Sequence, residues 1–183
     1  MIKLISFISF AFLTLASLAQ EPRHYNFTHY TAESGLISYQ VSVSLQDEDG
    51  YIWIGTNEGL QRYDGIRYKN FRHKENDPAS LPSKSIRHMI KDKKKNLWLV
   101  TMDGKVGIFN TNTFTFHPAT VKVKNEALLN AVSIPKKLIT DEYGNVFLLL
   151  AQKELVTYNE EKNEFSSAHN FIKQQPEWGI TDF

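Results

Sequence analysis

The sequence predicts an all-β protein made of β-propeller blades, four-stranded antiparallel sheets, forming a partial propeller of about three blades plus the start of a fourth. Three observations predict it. A tandem repeat recurs at an offset of 45 residues. Inside each unit, apolar and polar residues alternate with period two. Short apolar runs are divided by turns rich in Gly, Asp and Asn, in a chain with 13% aromatic residues.

The first residues stand apart from that pattern. "MIKLISFISFAFLTLASLAQ" has one early cation, Lys3, then an apolar run from Leu4 to about Leu15. Ser17 and Ala19 stand where a signal peptidase reads small residues, so residues 1–19 are expected to be a secretory signal peptide and residues 20–183 the exported part. An uncleaved anchor is the rival reading. No other apolar run approaches the ~18 residues a membrane span needs.

The first unit runs from Val43 to Phe71, "VSLQDEDGYIWIGTNEGLQRYDGIRYKNF", and the second from His88 to Phe116, "HMIKDKKKNLWLVTMDGKVGIFNTNTFTF". Asp47, Trp53, Thr56 and Gly59 meet Asp92, Trp98, Thr101 and Gly104 without a gap. A third, weaker unit runs from Lys137 to Phe165, with Asp141 and Phe147 at the spacing of Asp47 and Trp53. "GITDF", Gly179 to Phe183, looks like the opening of a fourth. The repeats are placed at roughly 36–80, 81–125, 126–170 and 171–183.

Each unit reads as four strands. Val41, Val43 and Leu45 alternate with Ser42, Ser44 and Gln46. Asp47 then closes a turn in which Gly50 supplies positive φ. Ile52 to Thr56 is apolar on both faces, as a central strand should be. Asn57-Glu58-Gly59 turns, Leu60 to Tyr63 is the third strand, Asp64-Gly65 is a two-residue hairpin signal, and Ile66 to Phe71 is the fourth. A lone sheet of this size buries too little surface, whereas radial stacking covers both faces. Trp53, Trp98 and Phe147 recur at one position and are expected to pack between blades, each burying ~150–250 Å². A carbohydrate-stacking platform is the alternative for these rings. Thr56 and Thr101 are expected to hydrogen-bond within their blades. A propeller needs at least four blades, so the remaining blades are expected from a longer chain or a homodimer partner.

With the repeat laid out, a resemblance can be stated. His29 to Phe71 resembles the two-component regulator propeller repeat: Gly35-Leu36, Gln46-Asp47, Gly50, Trp53-Ile54-Gly55-Thr56, Gly59-Leu60 and Arg62-Tyr63-Asp64-Gly65 follow its pattern. The second unit departs at Val100 and Lys105, where that pattern has Gly and Leu. The resemblance implies the N-terminal periplasmic sensor region of a Bacteroidetes-type hybrid two-component histidine kinase/response regulator. It implies a parent protein anchored in the inner membrane, with propellers that sense glycan fragments and regulate polysaccharide-utilisation genes. Motifs of the kinase and receiver parts are absent from this sequence, so this segment is expected to carry the sensor role and no enzymatic one.

Other chemistry finds little support. The net charge of +1 gives no broad field for nucleic acid or an anionic membrane, and Lys93-Lys94-Lys95 reads as a solvated turn. There is no cysteine, hence no disulfide and no thiolate metal site. The six histidines are scattered without ligand spacing, so neither metal nor cofactor is expected. Asp47, Glu48 and Asp49 sit in a turn, and a residue repeated in every unit, as Asp47 is, reads as a turn former rather than a catalyst. The alternatives to a sensor are a secreted carbohydrate-active or carbohydrate-binding propeller protein, or a truncated fragment without function. An oligosaccharide is the expected ligand, and no binding residue is singled out.

Overall fold

The structure, a computed structural model, describes residues 26–122, 135–151 and 154–167. The signal peptide expected at residues 1–19 and the fourth unit expected from Gly179 lie outside the described residues.

The described chain forms three sheets. The first contains β1 (Val41–Gln46), β2 (Ile52–Thr56), β3 (Gly59–Tyr63) and β4 (Tyr68–Phe71), each strand paired with the next. The second contains β5 (Ile86–Lys91), β6 (Leu97–Thr101), β7 (Val106–Asn110) and β8 (Thr115–Pro118) in the same order. The third contains β10 (Pro135–Thr140), β11 (Val146–Leu150), β12 (Leu155–Asn159) and β13 (Glu164–Ser167). Neighbouring strands within these blades are antiparallel. The fold is the partial propeller that the repeat predicts.

Period-two alternation explains the packing. Along β6, Leu97 and Leu99 turn to the first sheet and join Trp53, Leu60, Ile86, Met89, Phe109 and Phe116. Trp98 and Val100 turn the other way and join Leu138, Val146, Leu148, Leu150, Val156 and Phe165 of the third sheet. One middle strand thus feeds two cores, and all five of its residues are buried. At ~25 cal/mol per Å², each tryptophan stabilises the stack by several kcal/mol relative to solvent exposure. The inner strands of adjacent blades meet directly, β1 against β5 and β5 against β10.

Four features depart from the sequence expectation. First, β2 is not covered on both faces: Ile52 stays 37% exposed, because among the described residues only the lead-in segment before β1 lies over that side. Second, the first blade's last turn has Gly65 and Ile66 at its tip rather than Asp64 and Gly65. Asp64 N–H bonds Arg67 O, while the Asp64 carboxylate accepts N–H from Ile66 and Arg67, so β4 begins only at Tyr68. Third, the second blade has one more turn residue than the first. Gly59 pairs with Thr56 as the first residue of β3, whereas Gly104 sits in the turn at φ 85° and Lys105 bonds Thr101. Trp53 is therefore opposite Arg62 and Trp98 opposite Ile108. The residue matching Leu60 is Val106, so the apparent departure at Lys105 is a one-residue insertion and the core position stays apolar. Fourth, the chain leaving the second blade adds β9 (Thr120–Val121) in parallel to β13, making the third sheet five-stranded.

One regularity was not visible in the sequence. All three inner strands carry a register shift at the same repeat position: between Val41 and Val43, between Ile86 and His88, and between Pro135 and Lys137. In the first blade the bulge aims Ser42 so that its hydroxyl reaches Ile86 O of the next blade at 2.6 Å.

Candidate functional site

The Asp-bearing loops between first and second strands gather at one end of the sheets. In each, one carboxylate oxygen accepts two backbone N–H groups. Asp47 Oδ1 takes those of Asp49 and Tyr51, Asp92 Oδ1 those of Lys94 and Asn96, and Asp141 Oδ1 those of Tyr143 and Asn145. The second oxygen reaches further. Asp47 Oδ2 accepts the indole N–H of Trp53 at 2.7 Å, and Asp92 Oδ2 that of Trp98 at 2.8 Å. The Phe147 side chain has no N–H to donate, and Asp141 Oδ2 accepts from the Asn145 amide at 2.6 Å, as Asp92 Oδ2 also does from Asn96. These bonds from Asn145 and the loop hold the Asp141 carboxyl below its usual range, although burial pushes it up. The repeated Asp is thus engaged in shaping its loop and fixing the ring behind it.

The other repeat residues are placed equally clearly. Gly50 supplies the positive φ of its loop, at 87°. Thr56 and Thr101 are fully buried, and their hydroxyls bond inside their own blades, Thr56 to Gly59 O and Thr101 within reach of Lys105 O. Trp53 and Trp98 are 0% and 1% exposed, so neither can stack a ligand. Phe147, 5% exposed, lies on the equivalent face of the third sheet, turned away from the second.

Between the first two blades, at this loop end, lies a cleft of about 340 Å³. Its walls are the Asp47–Asp49 loop, the Lys94–Asn96 loop and the turn Asn110–Asn112, with Trp53 and Phe109 beneath. The charges across it are partly spent. Glu48 pairs with Lys91 at 2.7 Å, and that bond holds the Glu48 carboxyl below its usual range. Lys94 reaches across to Glu160 of the third blade. Lys95 lines the cleft and makes neither ion pair nor hydrogen bond through its ammonium among the described residues, although its charge acts on Glu48. Asp49 and the amide nitrogens of Asn110 and Asn112 are likewise without side-chain partners there.

Lys95 differs from its repeat counterparts in a telling way. It has φ 65°, while Gly50 and Gly144 fill the same position in the other blades at 87° and 93°. A side chain in this left-handed conformation costs ~1 kcal/mol that glycine avoids. The ungapped 45-residue offset already sets Lys95 of the triplet Lys93-Lys94-Lys95 opposite Gly50; the structure adds that Lys95 keeps the glycine's left-handed backbone. The comparison Gly–Lys–Gly becomes meaningful once the loops are superposed. No group of His, Asp or Glu among the described residues is arranged to hold a metal ion.

A buried polar residue that the repeat did not single out is Gln61. Fully buried on the outer face of the first blade, it donates to Gly35 O and Asn70 Oδ1 and accepts the Ile37 N–H. It docks the lead-in segment, where Gly35 has φ 104° and sits so close to the Tyr68 ring that a Cβ would lie 2.8 Å from it. Gly35 thus anchors the lead-in segment against β3 and β4 of the first blade. The family model described as "two component regulator propeller" matches residues 35–58, from Gly35 to the β2–β3 turn.

Residues 35–58 match the two-component regulator propeller repeat.

Two known proteins are similar to parts of this chain. Histidine kinase P4 of Formosa agariphila is 34% identical over 76 residues, which cover 42% of this chain and 6% of that protein. The crystal structure of the extracellular domain of a hybrid two component system from B. thetaiotaomicron superposes with a TM-score of 0.62 at 17% identity. It covers 76% of this chain and 19% of the solved one. The propeller-repeat chain thus spans a small part of each, and the likeness to the solved domain is one of fold.

Proposed function

We propose that this chain is a ligand-sensing propeller segment of an exported hybrid two-component sensor, and that it detects glycan fragments to regulate polysaccharide-utilisation genes. The observation that carries the reading is the two-component regulator propeller repeat at residues 35–58, set in a stack of blades and joined to a 76-residue likeness to a histidine kinase. Residues 1–19, patterned as a signal peptide, support export to the periplasm, with the parent protein anchored in the inner membrane. The segment binds and does not catalyse: its recurring carboxylates, Asp47, Asp92 and Asp141, are committed to their loops.

Further blades, from a longer chain or a second copy, complete the ring. The open face of the first blade supports this, since Ile52 and Val41 are exposed there beside the lead-in segment.

The test is genetic. Deleting the codons for residues 35–167 in the native gene should abolish the transcriptional response to one polysaccharide in a growth panel while responses to the others persist. An unchanged response to every polysaccharide would reject the sensor reading.

A further inference from the structure

In a tandem repeat, residues shared by all blades maintain the fold, and a ligand is read by the places where one blade departs from its siblings. Lys95 is such a place in the second blade. It keeps a lysine at a backbone position that both sibling loops give to glycine, and it lies on the wall of the 340 Å³ cleft. Backbone strain of this kind is retained where the surroundings, or a function, call for that side chain. The surroundings do not: the Lys95 ammonium has no ion-pair or hydrogen-bonding partner among the described residues, whereas Lys91 and Lys94 are each paired.

The rest of the lining indicates what would meet this cation. Asn110 spends its carbonyl oxygen on the N–H groups of Asn112 and Thr113, which leaves its amide nitrogen unused beside that of Asn112. The Asp49 carboxylate is also unengaged and can accept hydroxyl protons. The rings beneath, Trp53 and Phe109, are sealed from contact at 0% and 1% exposure, so an aromatic or greasy ligand finds no surface to stack on. One free ammonium among planar amide donors and a free carboxylate suits a hydroxyl-rich ligand with an acidic group.

From this geometry we infer that the cleft between the first two blades binds an acidic oligosaccharide, with Lys95 engaging its carboxylate and Asn110, Asn112 and Asp49 its hydroxyls. The inference rests on the glycan-sensing reading above and narrows it to a place and a ligand class.

The test uses the full chain and titration calorimetry at low salt. The probes are oligomers of galacturonate, glucuronate and mannuronate, each beside its carboxyl-reduced, neutral counterpart. At least one acidic oligomer should bind, with its neutral form at least tenfold weaker. Lys95→Gly should raise Tm, because the left-handed strain is relieved, and yet weaken acidic binding at least tenfold. Asn112→Ala should weaken binding without raising Tm. Those opposite signs for Lys95→Gly separate a ligand role from a merely structural one, which predicts a higher Tm and unchanged binding. If acidic and neutral oligomers bind alike, or if Lys95→Gly binds as the parent does, the cleft assignment is overturned while glycan sensing stands. If no oligomer of either kind binds to chain shown by circular dichroism to be folded, the glycan-sensing reading falls with it.

Discussion

Asp92 Oδ2 accepts the indole N–H of Trp98 at 2.8 Å, so the loop ahead of β6 and the ring on β6 form one unit. Asp47 and Trp53 repeat the arrangement one blade earlier. Replacing Asp92 by Ala leaves a buried indole N–H and the N–H groups of Lys94 and Asn96 without their acceptor. A loss of ~3 kcal/mol is expected in denaturant unfolding. Trp98→Phe, which copies the third blade, should be milder at ~1–2 kcal/mol, because Asn96 Nδ2 still serves Asp92 Oδ2 at 2.9 Å. An Asp92→Ala chain as stable as the parent would show that the bond only accompanies packing.

Two glycines of positive φ should respond differently to alanine. At Gly59, with φ 139°, an added Cβ would stand 2.4 Å from Phe71 O, so the strand pair itself must open. Gly59→Ala should cost well over ~2 kcal/mol. At Gly65, φ 96°, a Cβ meets nothing within 4 Å, leaving only the conformational term of ~1 kcal/mol. Thermal melts of both variants decide the matter, and equal shifts would contradict it.

His88 is expected to make the contact between the second and third blades sensitive to acid. Its Nδ1 accepts the Leu138 N–H at 3.3 Å, and an imidazolium cannot accept there. Burial lowers the His88 pKa below 6.5, and the nearby Lys137 lowers it further. A folded-state value below the unfolded one means that unfolding takes up a proton. Stability from this group is fully present above about pH 6.5 and falls as pH drops through the lower folded value. Denaturation midpoints should fall below neutrality, at pH values above those where the carboxylates titrate. In His88→Gln, whose amide oxygen accepts without titrating, that upper part of the decline should flatten. An unflattened profile would assign the decline to other groups.

The short strand β9 is expected to show in hydrogen exchange. Thr120 N–H bonds Asn163 O at 3.1 Å and Lys122 N–H bonds Phe165 O at 2.8 Å. These two amides should exchange much more slowly than typical connecting-segment amides, as members of the third blade's sheet. Thr120→Pro removes the first donor and should release Lys122 as well. Fast exchange at both positions in the parent chain would deny the strand.

Much of the architecture was written locally. The 45-residue echo from Asp47 to Asp92 and from Trp53 to Trp98 placed two blades, and the Asp141 and Phe147 spacing placed a third. Strand and turn chemistry is read within a few residues: period-two alternation sets a face, and a Gly at positive φ sets a turn. Local reading failed where a neighbour decided the outcome. Whether Ile52 is covered depends on what lies across the sheet. The extra residue before Lys105 becomes plain only when strand partners are paired. The Asp92 carboxylate reaches beyond its own loop to the indole N–H of Trp98 in the core.

The sequence by itself determined the repeated unit, its strand order and the identity of the rings that fill the gaps, because those follow from periodicity and turn preference along the chain. Only the tertiary structure decided which groups are satisfied and which are left over. It paired Lys91 with Glu48 and Lys94 with Glu160, left Lys95 strained over a cleft and without a partner among the described residues, and tied β9 to a sheet of another blade. These pairings are made through space, between residues far apart along the chain, so their separation in sequence says nothing of their distance.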